Sequence, residues 1–238
     1  MSFKSGRKGA LWLNEVDISP YFASAVFAAK VKTAPTTTFG SDWDTAISDT
    51  AAATLVASGY YDTLEADQVR ETLLEVVGQL TYAPAGALAI GDQCRLLNLN
   101  SSDYTATSKI GSAIVMDWTA QSTAPVGIGT CLHVLQSEAA GTVTGTGDGL
   151  LTGVASTTGA ILHVHLTAKT GADTFDLKLQ DATTIGGSYT DIASGAIVQM
   201  TALGSQRLVI PGTIRAFVRA VAVVSTHAMT YGVAVART

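Results

Sequence analysis

The chain has 238 residues, 47% of them hydrophobic and only 14% charged, against roughly 25% charged in ordinary soluble domains. That length suits one large β domain or two smaller ones, either able to bury a core without disulfide or metal staples. A net charge of −5 argues against a nucleic-acid-binding surface, and no apolar run approaches the roughly 18–20 residues of a membrane span. The missing charge is replaced by Ala, Thr, Gly, Ser and Val, which suit pleated surfaces and a subunit that hides much of itself against copies.

Residues 1–9 are basic through Lys4, Arg7 and Lys8, but only Ala10 to Leu13 follow before Asn14 and Glu15. That is too short for the apolar region of a signal peptide, so synthesis in a cytoplasm is expected. Ala10–Ile18 and Tyr21–Lys32 read as strands separated by Ser19-Pro20. Thr33–Thr50 reads as a loop carrying Phe39 and, around Trp43, the acids Asp42, Asp44 and Asp49. One helix is predicted from Leu64 to Val77: Asp62 caps it, Glu65 completes a capping box, and Val69, Leu73, Val76 and Val77 share a face before Gly78 stops it. Strands follow at Gln79–Ala83, Gln93–Leu99, Tyr104–Trp118 and Val126–Leu135. Cys94 and Cys131 fall in apolar strand-like segments and read as buried thiols, with a bridge between them left open.

A Gly/Thr-rich stretch, Glu138 to Gly149, reads as a linker or exposed hairpin. It separates an acidic part, residues 1–140 with 14 acidic and 8 basic residues, from residues 150–238, and the boundary is placed at 141–149. Beyond it, Leu162, Val164, Leu166 and Ala168 alternate with His163, His165, Thr167 and Lys169. Phe175, Leu177 and Leu179 alternate with Asp176, Lys178 and Gln180 in the same way. Both patterns predict strands with one buried and one wet face. With further strands at Ser188–Ala193, Ile197–Ala202, Gln206–Ile210, Ile214–Val224 and His227–Arg237, residues 150–238 read as an antiparallel β-sandwich. The fold class is mainly β, with one helix in the first half.

Catalytic constellations are absent from the sequence pattern: there is no phosphate loop, dinucleotide fingerprint or nucleophile elbow. His163-Val164-His165 has a metal-ligand spacing, but on a wet sheet face it reads as polar decoration. Asp42 and Asp44 could pair in a hydrolase, yet no histidine, tyrosine or basic partner stands near them, and a solvated loop explains them better. Arg215, Phe217 and Arg219 share one strand face and read as a contact surface. No catalytic residue, metal or cofactor is expected.

Val16-Asp17-Ile18-Ser19, then Thr36-Thr37-Thr38-Phe39-Gly40-Ser41, then Gly59-Tyr60-Tyr61-Asp62 before a helix, give a series over roughly residues 10–85 that resembles the major tail tube proteins of siphophages. The series departs where Ala51 to Leu55 stands in place of the family's Gly-Leu. Leu177 to Asp181, Gly187 to Ile192 and Arg215 to Arg219 resemble the sandwich domains that virion proteins display outward. The resemblance implies a tail-tube-like sandwich or barrel over residues 1–140, with an outward sandwich at 150–238. Six subunits would join inner sheets into a ring, and rings would stack into a tube that conducts genomic DNA without binding it specifically. The 33–50 loop (Phe39, Asp42, Trp43, Asp44, Asp49) and the arm at 1–9 (Lys4, Arg7, Lys8) would contact neighbouring rings. Partners would be further copies, the tape measure protein and other tail proteins, in a virion tail assembled in the host cytoplasm, with no membrane. An acidic lumen would let DNA slide. The rival readings are a head decoration protein or other tail component, and a carbohydrate-binding adhesin; a gene transfer agent or tailocin would share the tube design.

Overall fold

The fold is described from a computed structural model over residues 9–35, 46–60, 77–84, 89–108, 114–145 and 154–238, with the side chains of 31–35 and 46–52 left aside. Among the described residues there are fifteen strands and no α-helix, so the mainly β class holds. Wherever the register between neighbouring strands is defined, the pairing is antiparallel. The predicted helix falls outside the described residues except for Val77, which opens a strand.

Contacts divide the chain into two units. The first gathers Met1–Pro20, Gly78–Asn98 and Gly127–Thr238; the second gathers Tyr21–Val77 and Leu99–Val126. Strand β6 (Gln93–Thr107) contributes its first residues to one unit and Leu99 onward to the other.

The first unit opens on β1 (Ala10–Leu13) and β2 (Val16–Asp17). These make a hairpin where a single strand is predicted, because Asn14 takes a left-handed φ of 50° and turns the chain. Ser19 then holds the hairpin: its backbone N–H donates to Asp17 Oδ1 at 3.0 Å, and its Oγ accepts from the Leu11 N–H at 2.8 Å. With β5 (Val77–Ala83), β8 (Gly127–Glu138), β10 (Ala160–Ala168), β13 (Gly204–Ile210) and β15 (Met229–Arg237) they form one sheet, ordered β13-β10-β15-β8-β6-β5-β1-β2. A second sheet is ordered β12-β11-β14-β9, from β9 (Gly141–Thr144), β11 (Phe175–Ala182), β12 (Thr190–Ala196) and β14 (Phe217–Val224). Its inward residues Phe175, Leu177, Leu179 and Val218 join Leu162, Val164 and Tyr231 of the first sheet in one core. A second core lies on the opposite side of β10 and β15, where Trp12, Ala83, Cys94 and Cys131 pack on Ile161 and Ala234.

Two readings are corrected here. The first is the division at 141–149, with a self-contained sandwich beyond it. Gly141–Thr144 is β9, paired with β14 from Val221 to Val224, and Val143 packs on the core. The C-terminal strand β15 pairs with β8 from residues 129 to 138, so the sandwich is completed by strands from the first half. The glycines suggest a linker, but β-branched Thr142, Val143 and Thr144 supply strand propensity and an available strand partner decides the outcome. The second concerns the wet face of β10: His163 and His165 are fully buried. Alternation reports one covered face, and here both faces of β10 are covered.

The second unit is a four-stranded sheet in the order β3-β4-β7-β6, from β3 (Phe22–Pro35), β4 (Ala46–Tyr60), β7 (Val115–Ser122) and β6 from Leu99 onward. The expected 33–50 loop is narrower than predicted, since Thr33 pairs with Ser48 and Pro35 with Ala46. The break expected at Asn100 to Asp103 is instead a bulge at Ser102 within one long strand. Gly59 permits the close approach of β4 to Tyr21, where a Cβ would lie 1.8 Å from the Tyr21 carbonyl oxygen.

Candidate functional site

The second unit pairs its strands in register rows, and the rows alternate between faces. Leu55, Ala57, Met116, Trp118 and Ala120 point to one face and are buried. The other face carries the row Val26, Val56, Thr119 and Asp103, and beside it Ser24, Ser58, Asp117 and Thr105. Val26 is 63% exposed and Val56 39%, side by side on neighbouring strands. Among the described side chains, the charges on this face are Asp103 and Asp117 against Lys30, and the Ser58 hydroxyl donates to the Asp117 carboxylate.

Both lateral edges of this sheet lack a strand partner within the unit. Among the described residues, β3 pairs only with β4, and Leu99–Thr107 of β6 pairs only with β7 in the unit. Such an edge offers backbone groups to another chain. β3 runs fourteen residues and carries Phe22, Val26, Phe27 and alanines, with Lys30, Lys32 and bulges at Ala23 and Lys32 as its protection, while the β6 edge carries Asp103 and the bulge at Ser102. Since four strands alternate direction, β3 and β6 run opposite ways. A β3 laid head to tail on the β6 of another copy would therefore continue an antiparallel ladder.

Of the residues expected at assembly contacts, Lys4, Arg7, Lys8, Phe39, Asp42, Trp43 and Asp44 lie outside the described residues, and Asp49 is placed on β4 by its backbone alone. The face of Arg215, Phe217 and Arg219 is partly turned inward to its own domain. Arg215 Nε donates to Asp181 Oδ1 at 2.9 Å and its guanidinium also reaches Thr190. Arg219 Nε donates to Gln180 Oε1 at 2.8 Å and the guanidinium lies 4.2 Å from the Tyr189 ring centre. These cations brace the second sheet from outside.

A polar layer inside the first unit was not visible in the sequence. His165 donates from Nδ1 to the Asn14 carbonyl at 2.8 Å, and its Nε2 lies 2.9 Å from the Thr81 hydroxyl. His163 Nδ1 is 3.4 Å from the same hydroxyl. Burial is the main reason both imidazoles resist protonation, pulling His165 down to about 4 and His163 well below the ordinary value. Cys94 and Cys131 are buried free thiols; burial pushes both up, Cys131 to about 12. No group of three or more potential metal ligands gathers among the described residues.

No protein-family profile and no curated protein matches the chain. Similar solved structures include the virion of a native gene transfer agent particle, at a TM-score of 0.43 and 8% identity over 52% of this chain and 98% of that one. The SPP1 Dit protein, described as a paradigm of the hub adsorption apparatus in phages infecting Gram-positive hosts, has a TM-score of 0.37 and 10% identity over 97% and 99%. The sheath–tube complex of an extracellular contractile injection system has a TM-score of 0.39 and 10% identity over 52% and 91%. Likenesses this weak carry no functional argument.

The open edges, unlike the polar layer, had a sequence signal. An apolar, alanine-rich, nearly uncharged run from Tyr21 to Ala29 is unusual for an edge strand.

Proposed function

We propose that the chain is a structural component of a phage-type tail, and more narrowly its tube subunit, working by self-assembly without catalysis. The observation that carries the reading is the pair of open, oppositely directed edges on the β3-β4-β7-β6 sheet. A head-to-tail contact between two different edges closes into a ring when the rotation permits, and closure removes every edge. Six copies would make a barrel of ~24 strands, larger than the roughly 16- to 18-stranded barrels that already enclose a water-filled channel. The face carrying Asp103, Asp117, Thr105 and Thr119 would then be a lining with little adhesion for phosphate. In this reading the genome passes through the lumen, and the tape measure protein and other tail proteins are further partners.

Negative-stain microscopy of the purified chain tests the reading. Hollow tubes built of stacked rings are expected. A stable monomer, or discrete small oligomers that never elongate, would overturn the tube and favour a decoration protein or another tail component.

A further inference from the structure

The polar layer of the first unit ties together segments far apart in sequence. From β1 and its turn come Trp12 and Asn14, from β5 Thr81, from β10 the two histidines, and from β13 Ser205 and Arg207. The protons in this layer follow from its fixed acceptor. The Asn14 carbonyl oxygen can only accept, so His165 carries its proton on Nδ1 and presents a lone pair at Nε2. The Thr81 hydroxyl donates to that lone pair, which leaves Thr81 Oγ1 to accept from His163 Nδ1. His163 Nε2 then also presents a lone pair, and it is buried with no hydrogen-bond partner among the described residues. Ser205 Oγ donates to Asn14 Oδ1 at 3.1 Å and locks the turn onto β13.

We propose that the chain Asn14–His165–Thr81–His163 is an acid-released clamp, which holds the β1–β2 hairpin and β5 on the β10–β13 face and lets go when its imidazoles take up protons. Two backbone carbonyls favour the new charge, that of Asn14 at His165 and that of Leu80 at His163, but burial outweighs both. From β13 the charged group facing His163 is the cation Arg207, whose own Nε is buried and unpartnered. From β15, Gly232 and Ala234 lie opposite His165 and His163; from β1 the Trp12 ring stands edge-on at 5.8 Å; from β5 comes the neutral Thr81. The ion pairs among the described residues lie elsewhere, so none of them brings a carboxylate to the charge. A proton on His165 Nε2 takes away the acceptor of the Thr81 hydroxyl. A proton on His163 Nε2 sets a second buried donor beside Arg207.

The sign is set by the depressed folded values. The clamp is fully closed above the ordinary histidine value near 6.5 and weakens as pH falls from there toward 4. For His165 alone, moving from pH 7 to pH 5 multiplies the opening equilibrium roughly 20-fold.

Amide hydrogen exchange on the full chain, corrected for the intrinsic pH dependence, reads this directly. Amides of Ala10–Leu13 and Leu80–Ala83 should lose protection by roughly 20-fold or more between pH 7 and pH 5, while those of β11 and β14 hold theirs. In the His163→Gln/His165→Gln variant the loss should vanish. Unchanged protection in β1 and β5, an equal loss in both sheets, or a loss that survives in the variant would each overturn the clamp. Should that variant fail to fold, imidazole 15N shifts of the wild-type chain decide. Nδ1-protonated neutral rings down to pH 5 support the clamp, and titration near 6.5 refutes it.

Discussion

Replacing Gly232 with alanine would place a methyl carbon 2.7 Å from Cζ3 of Trp12, 3.0 Å from Cη2 and 3.1 Å from Cε3. The indole cannot retreat: Trp12 is 2% exposed, sits in the core with Ala83, Cys94 and Cys131, and meets the His165 ring at 5.8 Å. Forcing one methyl into so tight a site costs about 1–3 kcal/mol. With a urea slope of ~2 kcal/mol/M, the unfolding midpoint falls by roughly 0.5–1.5 M. The same substitution in a Trp12→Phe background should cost much less, because the atoms it strikes belong to the larger ring system. The double-mutant cycle should therefore show a coupling of at least about 0.5 kcal/mol. Far-UV circular dichroism follows the transition without relying on the altered tryptophan. A cost below ~0.5 kcal/mol for Gly232→Ala, or an equal cost in both backgrounds, would refute the seating of the N-terminal strand on the C-terminal one.

Phe175→Ala empties a fully buried site beside Tyr231, whose ring lies 4.7 Å away, and should cost about 3–5 kcal/mol in the same urea assay. Val26→Lys on the exposed face of β3 should change stability by less than ~0.5 kcal/mol yet abolish assembly in sedimentation velocity, because a lysine blunts an open edge. Cys94 and Cys131 should resist a thiol reagent at pH 8 in the native chain and react only on unfolding, with reagent uptake followed by absorbance.

Local chemistry announced much of this fold and long-range pairing did not. The alternation of Phe175, Leu177 and Leu179 with Asp176, Lys178 and Gln180 gives β11 its correct faces, because only one side is covered by a second sheet. The same pattern misleads for β10. His163 and His165 are polar in sequence but buried against β1 and β5, and no period within one strand encodes that second layer. Strand β4 carries Ala46 and Ala51 to Ala53, too uniform to show a period, so its start merges into the preceding loop. The pairings of β15 with β8 and of β14 with β9 join residues some 80–100 apart in sequence, beyond the reach of composition or turn signals. The tail-tube motifs mark the region that holds the open edges, but several of the contact residues they suggest fall outside the described residues.

The central claim is that unlike edges of identical sheets meet. A chain carrying both Val26→Cys and Asp103→Cys, treated with a short thiol-to-thiol cross-linker, puts that to the test, since Cys94 and Cys131 are buried and silent. Joining β3 to β6 predicts a ladder of linked species that ends at a closed ring of six, with no linked dimer from either single variant. A linked dimer from Val26→Cys alone would mean that β3 meets β3 across a two-fold axis, and with it, or with no ladder at all, the tube reading fails.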